Sequence, residues 1–235
     1  MLSCFLSLST HNAAHVVNMR CVRRERFATT ASNGYPENMR RVLLACAIPL
    51  AFSACATLPA PSAHSQFMAN IAQHCGTAYA GKIVANTPAS STPDPFEGKT
   101  LVMHVRGCTD PQNRLEIPFH VGDDHSRTWI ITRQPTGLRL KHDHRHKDGT
   151  PDDMTMYGGD TRTDGTANRQ EFPVDQESIA MFQKGGLNAS VENTWAMEIH
   201  DKTFVYELSR PNGRLFKVEF DTTKPVPLPP NPWGW

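Results

Sequence analysis

The sequence predicts a mainly β protein, an antiparallel meander that closes into a barrel or folds as a two-sheet sandwich, with two short helices. Two observations predict this. Short segments in which polar and apolar residues alternate recur from residue 82 onward, and turns rich in Gly, Pro, Asn and Asp separate them. Closure is favoured because an open sheet of about eight or nine strands would expose two edges to pairing with other chains.

The expected barrel is lipocalin-like in its up-and-down connectivity. One helix is predicted over residues 65–79, where apolar residues recur at spacings of three and four and Ser65 is a candidate N-cap. A second helix is predicted over residues 175–184, with Asp175 as N-cap and Gly185 just after its end. The predicted strands are 82–86, 99–108, 114–121, 127–133, 138–146, 168–172, 194–200, 203–210 and 214–220.

Residues 39–54 read as a secretory signal peptide. Arg40 and Arg41 precede an apolar stretch over 42–52, which is too short to span a bilayer stably, and small residues then lead to Cys55. This segment resembles the lipobox of bacterial envelope lipoproteins, although Phe52 stands where Leu is usual. The resemblance implies diacylglycerol on Cys55 and a membrane partner, with Ala56 matching outer-membrane sorting. Cleavage nearby by an ordinary signal peptidase, giving a secreted or periplasmic protein, is the alternative.

The position of the signal peptide sets the predicted boundaries of the other segments of the chain. Residues 1–38 are expected to be a non-native or disordered extension, because targeting signals stand at the start of a chain. Residues 55–64, rich in Ala, Pro and Ser, form a predicted tether, and residues 65–221 form one β-rich domain. Residues 222–235 form a tail rich in Pro and Trp, which either folds back onto the domain or docks onto a partner.

Charge and cysteine content narrow the functional classes. The chain has 24 basic and 23 acidic residues, and removing the six Arg and two Glu before Cys55 leaves 18 and 21. This balance excludes the clustered positive charge of a nucleic-acid-binding surface. Cys75 and Cys108 then remain as a pair, which favours a structural disulfide in an oxidising envelope over a redox or metal-binding pair, since no Cys-x-x-Cys is present.

The predicted strand 138–146 carries the densest set of functional side chains. Alternation places His142, His144 and His146 on the face of Leu138 and Leu140. The spacing resembles the His-x-His pairs of metal sites in cupins and carbonic anhydrases, which implies a divalent metal such as zinc. The loop that follows offers carboxylates as further ligands: Asp148, Asp152, Asp153 and Asp160. A structural network of His, Asp and Arg is the competing interpretation, and anion binding or pH sensing is a third.

Other polar residues carry weaker signals. Ser126 is interpreted as a turn residue rather than a catalytic nucleophile, because no nucleophile elbow surrounds it. His104, His120 and His200 are expected at the surface, opposite the apolar runs of their strands. Residues 157–160, Tyr-Gly-Gly-Asp, are interpreted as a tight turn, with close backbone approach to a ligand as the alternative.

The chain over 117–124 and 139–149 also resembles uncharacterised secreted proteins of Gram-negative bacteria, which implies an envelope location. Two functions follow as hypotheses. The first is a non-enzymatic, lipid-anchored barrel on the periplasmic face of the outer membrane that binds a small ligand or an envelope protein. The second is a metal-binding protein or metal-dependent enzyme that uses the three histidines of strand 138–146.

Overall fold

A computed structural model describes residues 60–88 and 94–235. Ten strands form one antiparallel sheet, and two α-helices and a short 3-10 helix accompany it. Along the chain the elements are α1 (Ala63–Ala72), β1 (Thr77–Thr87), β2 (Leu101–Val105), β3 (Arg114–Val121), β4 (Asp124–Gln134), β5 (Gly137–His144), β6 (Tyr157–Asp160), β7 (Arg169–Pro173), α2 (Gln176–Lys184), the 3-10 helix (Asn188–Glu192), β8 (Thr194–Ile199), β9 (Thr203–Ser209) and β10 (Leu215–Val226).

The sheet curls into a nearly closed barrel. Consecutive strands pair from β1 to β6 and from β7 to β10, and β1 also pairs with β10, so the order around the sheet is β6-β5-β4-β3-β2-β1-β10-β9-β8-β7. The remaining gap lies between β6 and β7. Gly159 forms a bridge to Val174 there, and the N–H of Asp175 donates to the carbonyl of Gly158 at 3.0 Å. The predicted antiparallel meander that closes into a barrel is confirmed.

Two local predictions need correction. The first helix begins at Ala63 with Ser62 as its N-cap, and it ends at Ala72 rather than Tyr79, because residues from Thr77 onward join the sheet as β1. Residues 157–160 form strand β6 instead of a tight turn. Their two glycines do mark a close backbone approach, but to β5 and β7 rather than to a ligand. The second helix has the predicted Asp175 cap.

The barrel interior is filled by the alternate residues that the strand pattern predicts. Along β5, Leu138 and Leu140 are fully buried, and His142 continues the same face with 5% exposure. An aromatic stack crosses the interior, where Trp129 lies 4.8 Å from Phe119 and 4.4 Å from Tyr206 between ring centroids. Helix α1 buries Phe67 against this core.

The predicted disulfide is present between Cys75 and Cys108. It joins the turn after α1 to the segment after β2, across a sequence separation of 33 residues. A loop of this length corresponds to a stabilisation of about 3.7 kcal/mol under the chain-entropy model.

The C-terminal tail folds back onto the domain, as one of the two interpretations predicted. The backbone N–H of Trp233 donates to the carbonyl of His125 at 3.0 Å. The indole Nε1 of Trp235 donates to Asp143 Oδ2 at 2.9 Å, and its ring lies 5.7 Å from the guanidinium of Arg145. These contacts therefore hold the tail against the outer face of β4 and β5.

The described residues include no helix long and apolar enough to cross a membrane. Cys55, the signal at 39–54, the extension at 1–38 and the first part of the tether lie outside the described residues, and the predictions about them stay predictions.

Candidate functional site

A cavity of about 310 Å³ opens at one end of the barrel, where β5, β9 and the 3-10 helix end and β6, β8 and β10 begin. Aromatic and aliphatic side chains form its walls, and polar side chains gather at its rim. Its lining consists of Phe96, His144, Asp152, Met154, Tyr157, Phe182, Leu187, Ser190, Asn193, Trp195, Tyr206, Leu208, Arg210, Arg214 and Phe216.

Below this cavity, His142 stacks on Tyr157, with ring centroids 4.8 Å apart, and its Nε2 lies 3.1 Å from the hydroxyl of Tyr206. Burial lowers the pKa of His142 to about 3, so the imidazole is neutral at pH 7. Burial also raises the pKa of the Tyr157 and Tyr206 hydroxyls, which therefore stay protonated. The floor of the cavity is uncharged and polar, and it is enclosed by aromatic rings.

Positive charge gathers at the rim. The hairpin between β9 and β10 supplies Arg210 and Arg214, and the guanidinium of Arg214 pairs with Asp94 at 3.8 Å. Arg210 differs, because its Nε donates to the neutral Asn193 Oδ1 at 2.6 Å and it forms no ion pair with any carboxylate in residues 60–88 and 94–235. Burial lowers the pKa of Arg210 and the charge of Arg214 lowers it further, while the charge of Glu192 raises it. A negative charge beside Arg210 would relieve both effects.

A second polar cluster occupies the opposite part of the rim. The Nε2 of His144 lies 3.1 Å from the Oγ of Ser126, and its Nδ1 lies 3.2 Å from Asp152 Oδ2. The other oxygen of Asp152 accepts the backbone N–H of Met154 at 2.9 Å. This bond fixes the carboxylate on the loop after β5, so the imidazole of His144 is held from both sides.

The structure separates the three histidines of the predicted metal site. His142 lies in the interior, His144 lies at the rim and His146 is exposed beyond the end of β5. Of the predicted loop ligands, Asp152 does reach His144, whereas Asp160 pairs with Arg139 and Asp148 accepts from Thr150. Within the described ranges, no three His, Cys, Asp or Glu side chains gather closely enough to hold a metal ion. The donor geometry favours the structural network, and metal analysis of protein purified without a His-tag tests the alternative.

The surface expectation for His120 is wrong. This residue is 2% exposed, and its Nδ1 lies 2.6 Å from the Nδ1 of His125. Burial, together with the nearby charge of His125, lowers the pKa of His120 to about 4. The returning tail contacts His125 on this outer face, a long-range contact that strand alternation does not reveal. His200 is exposed as expected, and His104 is half-buried.

Sequence reasoning missed the contacts that assemble this rim. Ser126 lies in β4 rather than in the predicted turn. Its N–H donates to Asp124 Oδ1 at 3.0 Å, and its hydroxyl reaches His144 across the β4–β5 pair. Arg210 and Arg214 flank a hairpin turn, where basic residues are usually solvated. The signal that could have located them is their position at the ends of two strands with apolar inward faces.

Comparisons with family models, with curated proteins and with solved structures returned no match for the chain. The functional argument therefore depends on the geometry of the cavity and its rim.

Proposed function

We propose that this protein is an exported, lipid-anchored β-barrel of the bacterial envelope that binds a small amphipathic anion in the cavity at the end of the barrel. The observation that carries this proposal is Arg210, a half-buried guanidinium at the rim of an aromatic cavity with a neutral amide as its partner. A partly buried cation whose direct hydrogen-bond partner is neutral gains stabilisation from a ligand that brings a negative charge into contact with it; Glu192 acts on Arg210 without forming an ion pair with it.

The walls and the volume of the cavity indicate the shape and polarity of the rest of the ligand. Phe182, Trp195 and Phe216 present rings to the cavity, and aromatic walls favour a flat apolar body through stacking and edge contacts. The cavity volume of about 310 Å³ is at the small end of the range for small-molecule sites. These properties favour a compact aromatic carboxylate over a long acyl chain. A concave site of this kind also favours a small ligand over a protein partner.

We expect the Arg210→Gln variant to bind 2-naphthoate at least about tenfold more weakly than the wild-type protein, because a charge-assisted hydrogen bond contributes about 1.5–3 kcal/mol. Isothermal titration calorimetry on both proteins measures the difference. The neutral analogue 2-naphthamide should bind the two proteins with similar affinity, because it carries no charge for Arg210 to pair with.

The matched control is Arg114→Gln, which removes an exposed arginine that pairs with Glu116 and does not line the cavity. This variant should bind 2-naphthoate as the wild-type protein does. Equal affinity of wild type and Arg210→Gln for 2-naphthoate, or no binding of either naphthalene compound to the wild type, would contradict the proposal.

The proposed envelope anchor makes a separate prediction. Cells that express the full chain and grow with an alkyne fatty acid should label the wild-type protein and leave Cys55→Ala unlabelled, because the lipobox resemblance implies transfer of a diacylglyceryl group to that sulfur. Labelling is read by click chemistry with a fluorophore and gel electrophoresis. Cys46→Ala, which removes a cysteine within the signal, should label as the wild type does. Equal labelling of the wild-type protein and Cys55→Ala would contradict the proposed lipid anchor.

A further inference from the structure

The cluster at the rim has the connectivity of a nucleophile, a general base and a carboxylate that orients the base. Ser126 Oγ contacts His144 Nε2 at 3.1 Å, and His144 Nδ1 contacts Asp152 Oδ2 at 3.2 Å. The two contacts use opposite nitrogens of one imidazole, as proton transfer from a serine hydroxyl requires. Both distances are at the limit of hydrogen-bond reach, which is common before substrate binds.

The backbone around these residues holds each side chain in place. The N–H of His144 donates to the Oγ1 of Thr155 at 2.8 Å, and the N–H of Ser126 donates to Asp124 at 3.0 Å. Backbone hydrogen bonding from Met154 is the main cause that lowers the pKa of Asp152, and the contact with His144 adds to it. Asp152 is therefore ionised at neutral pH, and it favours the imidazole tautomer with its proton on Nδ1.

This tautomer leaves the lone pair of His144 Nε2 free to accept the proton of Ser126. Both His144 and Asp152 line the cavity described above, whereas Ser126 is 5% exposed and meets the rim only through its contact with His144. Arg127, the residue after Ser126, places its guanidinium 5.3 Å from the ring centroid of Phe96 on the cavity wall. The same guanidinium pairs with Asp124 through Nη1, so only its remaining N–H groups are available to stabilise an oxyanion.

We infer that Ser126, His144 and Asp152 form an acyl-transfer site that hydrolyses small esters whose carbonyl group lies at the rim of the cavity, beside His144. The inference rests on the proposed function only in that the same cavity holds the substrate. Ser126 Oγ bonds to the ester carbonyl carbon while its proton passes to His144 Nε2. Collapse of the tetrahedral intermediate breaks the bond to the alkoxy group, which leaves as the alcohol with that proton. Water then attacks the acyl-serine with His144 as base, releasing the carboxylic acid and restoring Ser126.

The test uses the full chain, an ethoxyphosphonofluoridate probe that carries a fluorophore, and p-nitrophenyl butyrate as substrate. We expect the wild-type protein to form a covalent adduct on Ser126, located by peptide mass spectrometry, and to hydrolyse the ester. Ser126→Ala should lose the adduct and at least about 100-fold of the hydrolysis rate. Ser209→Ala is the matched control, because Ser209 lies outside the cavity lining and its hydroxyl contacts the carbonyl of Thr194.

Asp152→Asn distinguishes a working base from a structural network. A catalytic role predicts a large loss of rate and a shifted pH profile in a variant whose circular dichroism spectrum is unchanged. A wild-type protein that forms no Ser126 adduct, or a Ser126→Ala variant that hydrolyses the ester at the wild-type rate, overturns the inference. If the protein binds 2-naphthoate but forms no Ser126 adduct, the inferred hydrolysis is wrong and the proposed binding function stands. If it forms the adduct but does not bind 2-naphthoate, the proposed binding function is wrong and the inferred hydrolysis stands.

Discussion

The Gly159→Ala variant should lose at least about 3 kcal/mol of unfolding free energy. Gly159 lies in β6 where the barrel closes, and a β-carbon there would overlap the backbone carbonyl oxygen of Pro173 in β7. A backbone atom cannot move aside as a flexible side chain can, so the bridge between β6 and β7 must open. Urea denaturation followed by tryptophan fluorescence measures the loss.

Gly185→Ala is the control for this substitution. The nearest atom to a β-carbon at Gly185 is the terminal methyl of Met154, which can rotate away. The control should change the unfolding free energy by less than about 1 kcal/mol. If the two variants are equally stable, β6 and β7 are not in the close contact that this fold requires.

Removal of Asp175 has the second large expected effect. Asp175 caps α2 through the N–H of Ser178, and its carboxylate lies 2.8 Å from the ammonium of buried Lys141. The second partner of Lys141 is the exposed Glu177, at 3.0 Å. We expect Asp175→Asn to cost about 2 kcal/mol, because it leaves a buried cation with a solvated partner. Asp175→Ala should cost about 1 kcal/mol more, because it also removes the cap.

The loss of unfolding free energy in Asp175→Asn should depend on pH. Burial raises the pKa of Asp175, but hydrogen bonds from Lys141 and Ser178 outweigh that effect and hold the pKa below its ordinary value. The charged form is therefore favoured more in the folded state than in the unfolded state. Its contribution is present above about pH 4 and is lost as the pH falls through the folded-state pKa. Chemical denaturation at several pH values should show wild type and Asp175→Asn converging in acid, and a constant difference would contradict the ion pair.

The barrel was predictable because its determinants are local. Period-two alternation in β3, β4 and β9, with turn residues between them, indicates strands whose inward faces must be buried. Strand β6 was missed because Tyr157–Asp160 contains two glycines and lacks an alternating pattern. Its identity depends on the backbones of β5 and β7, which lie on either side of it and are separated from it by loops of 12 and 8 residues.

The candidate site was only partly predictable for the same physical reason. Alternation along β5 placed His142 and His144 on the inward face, and the structure confirms it. What each histidine contacts depends on other strands: Tyr206 from β9 reaches His142, and Ser126 from β4 reaches His144. Spacing within one strand cannot reveal such partners. The sequence pattern therefore left the metal site and the hydrogen-bonded network as competing interpretations.

The central claim, that the cavity at the end of the barrel binds a small amphipathic anion, is tested most directly by nuclear magnetic resonance. The chain has four tryptophans, of which Trp195 lines the cavity, while Trp233 and Trp235 lie in the tail on the outer face. Titration of ¹⁵N-labelled protein with 2-naphthoate should shift the indole signal of Trp195 and the Nε–H signal of Arg210, and leave those of Trp233 and Trp235 in place. Shifts confined to the tail tryptophans, or no shift at saturating ligand, would contradict the account.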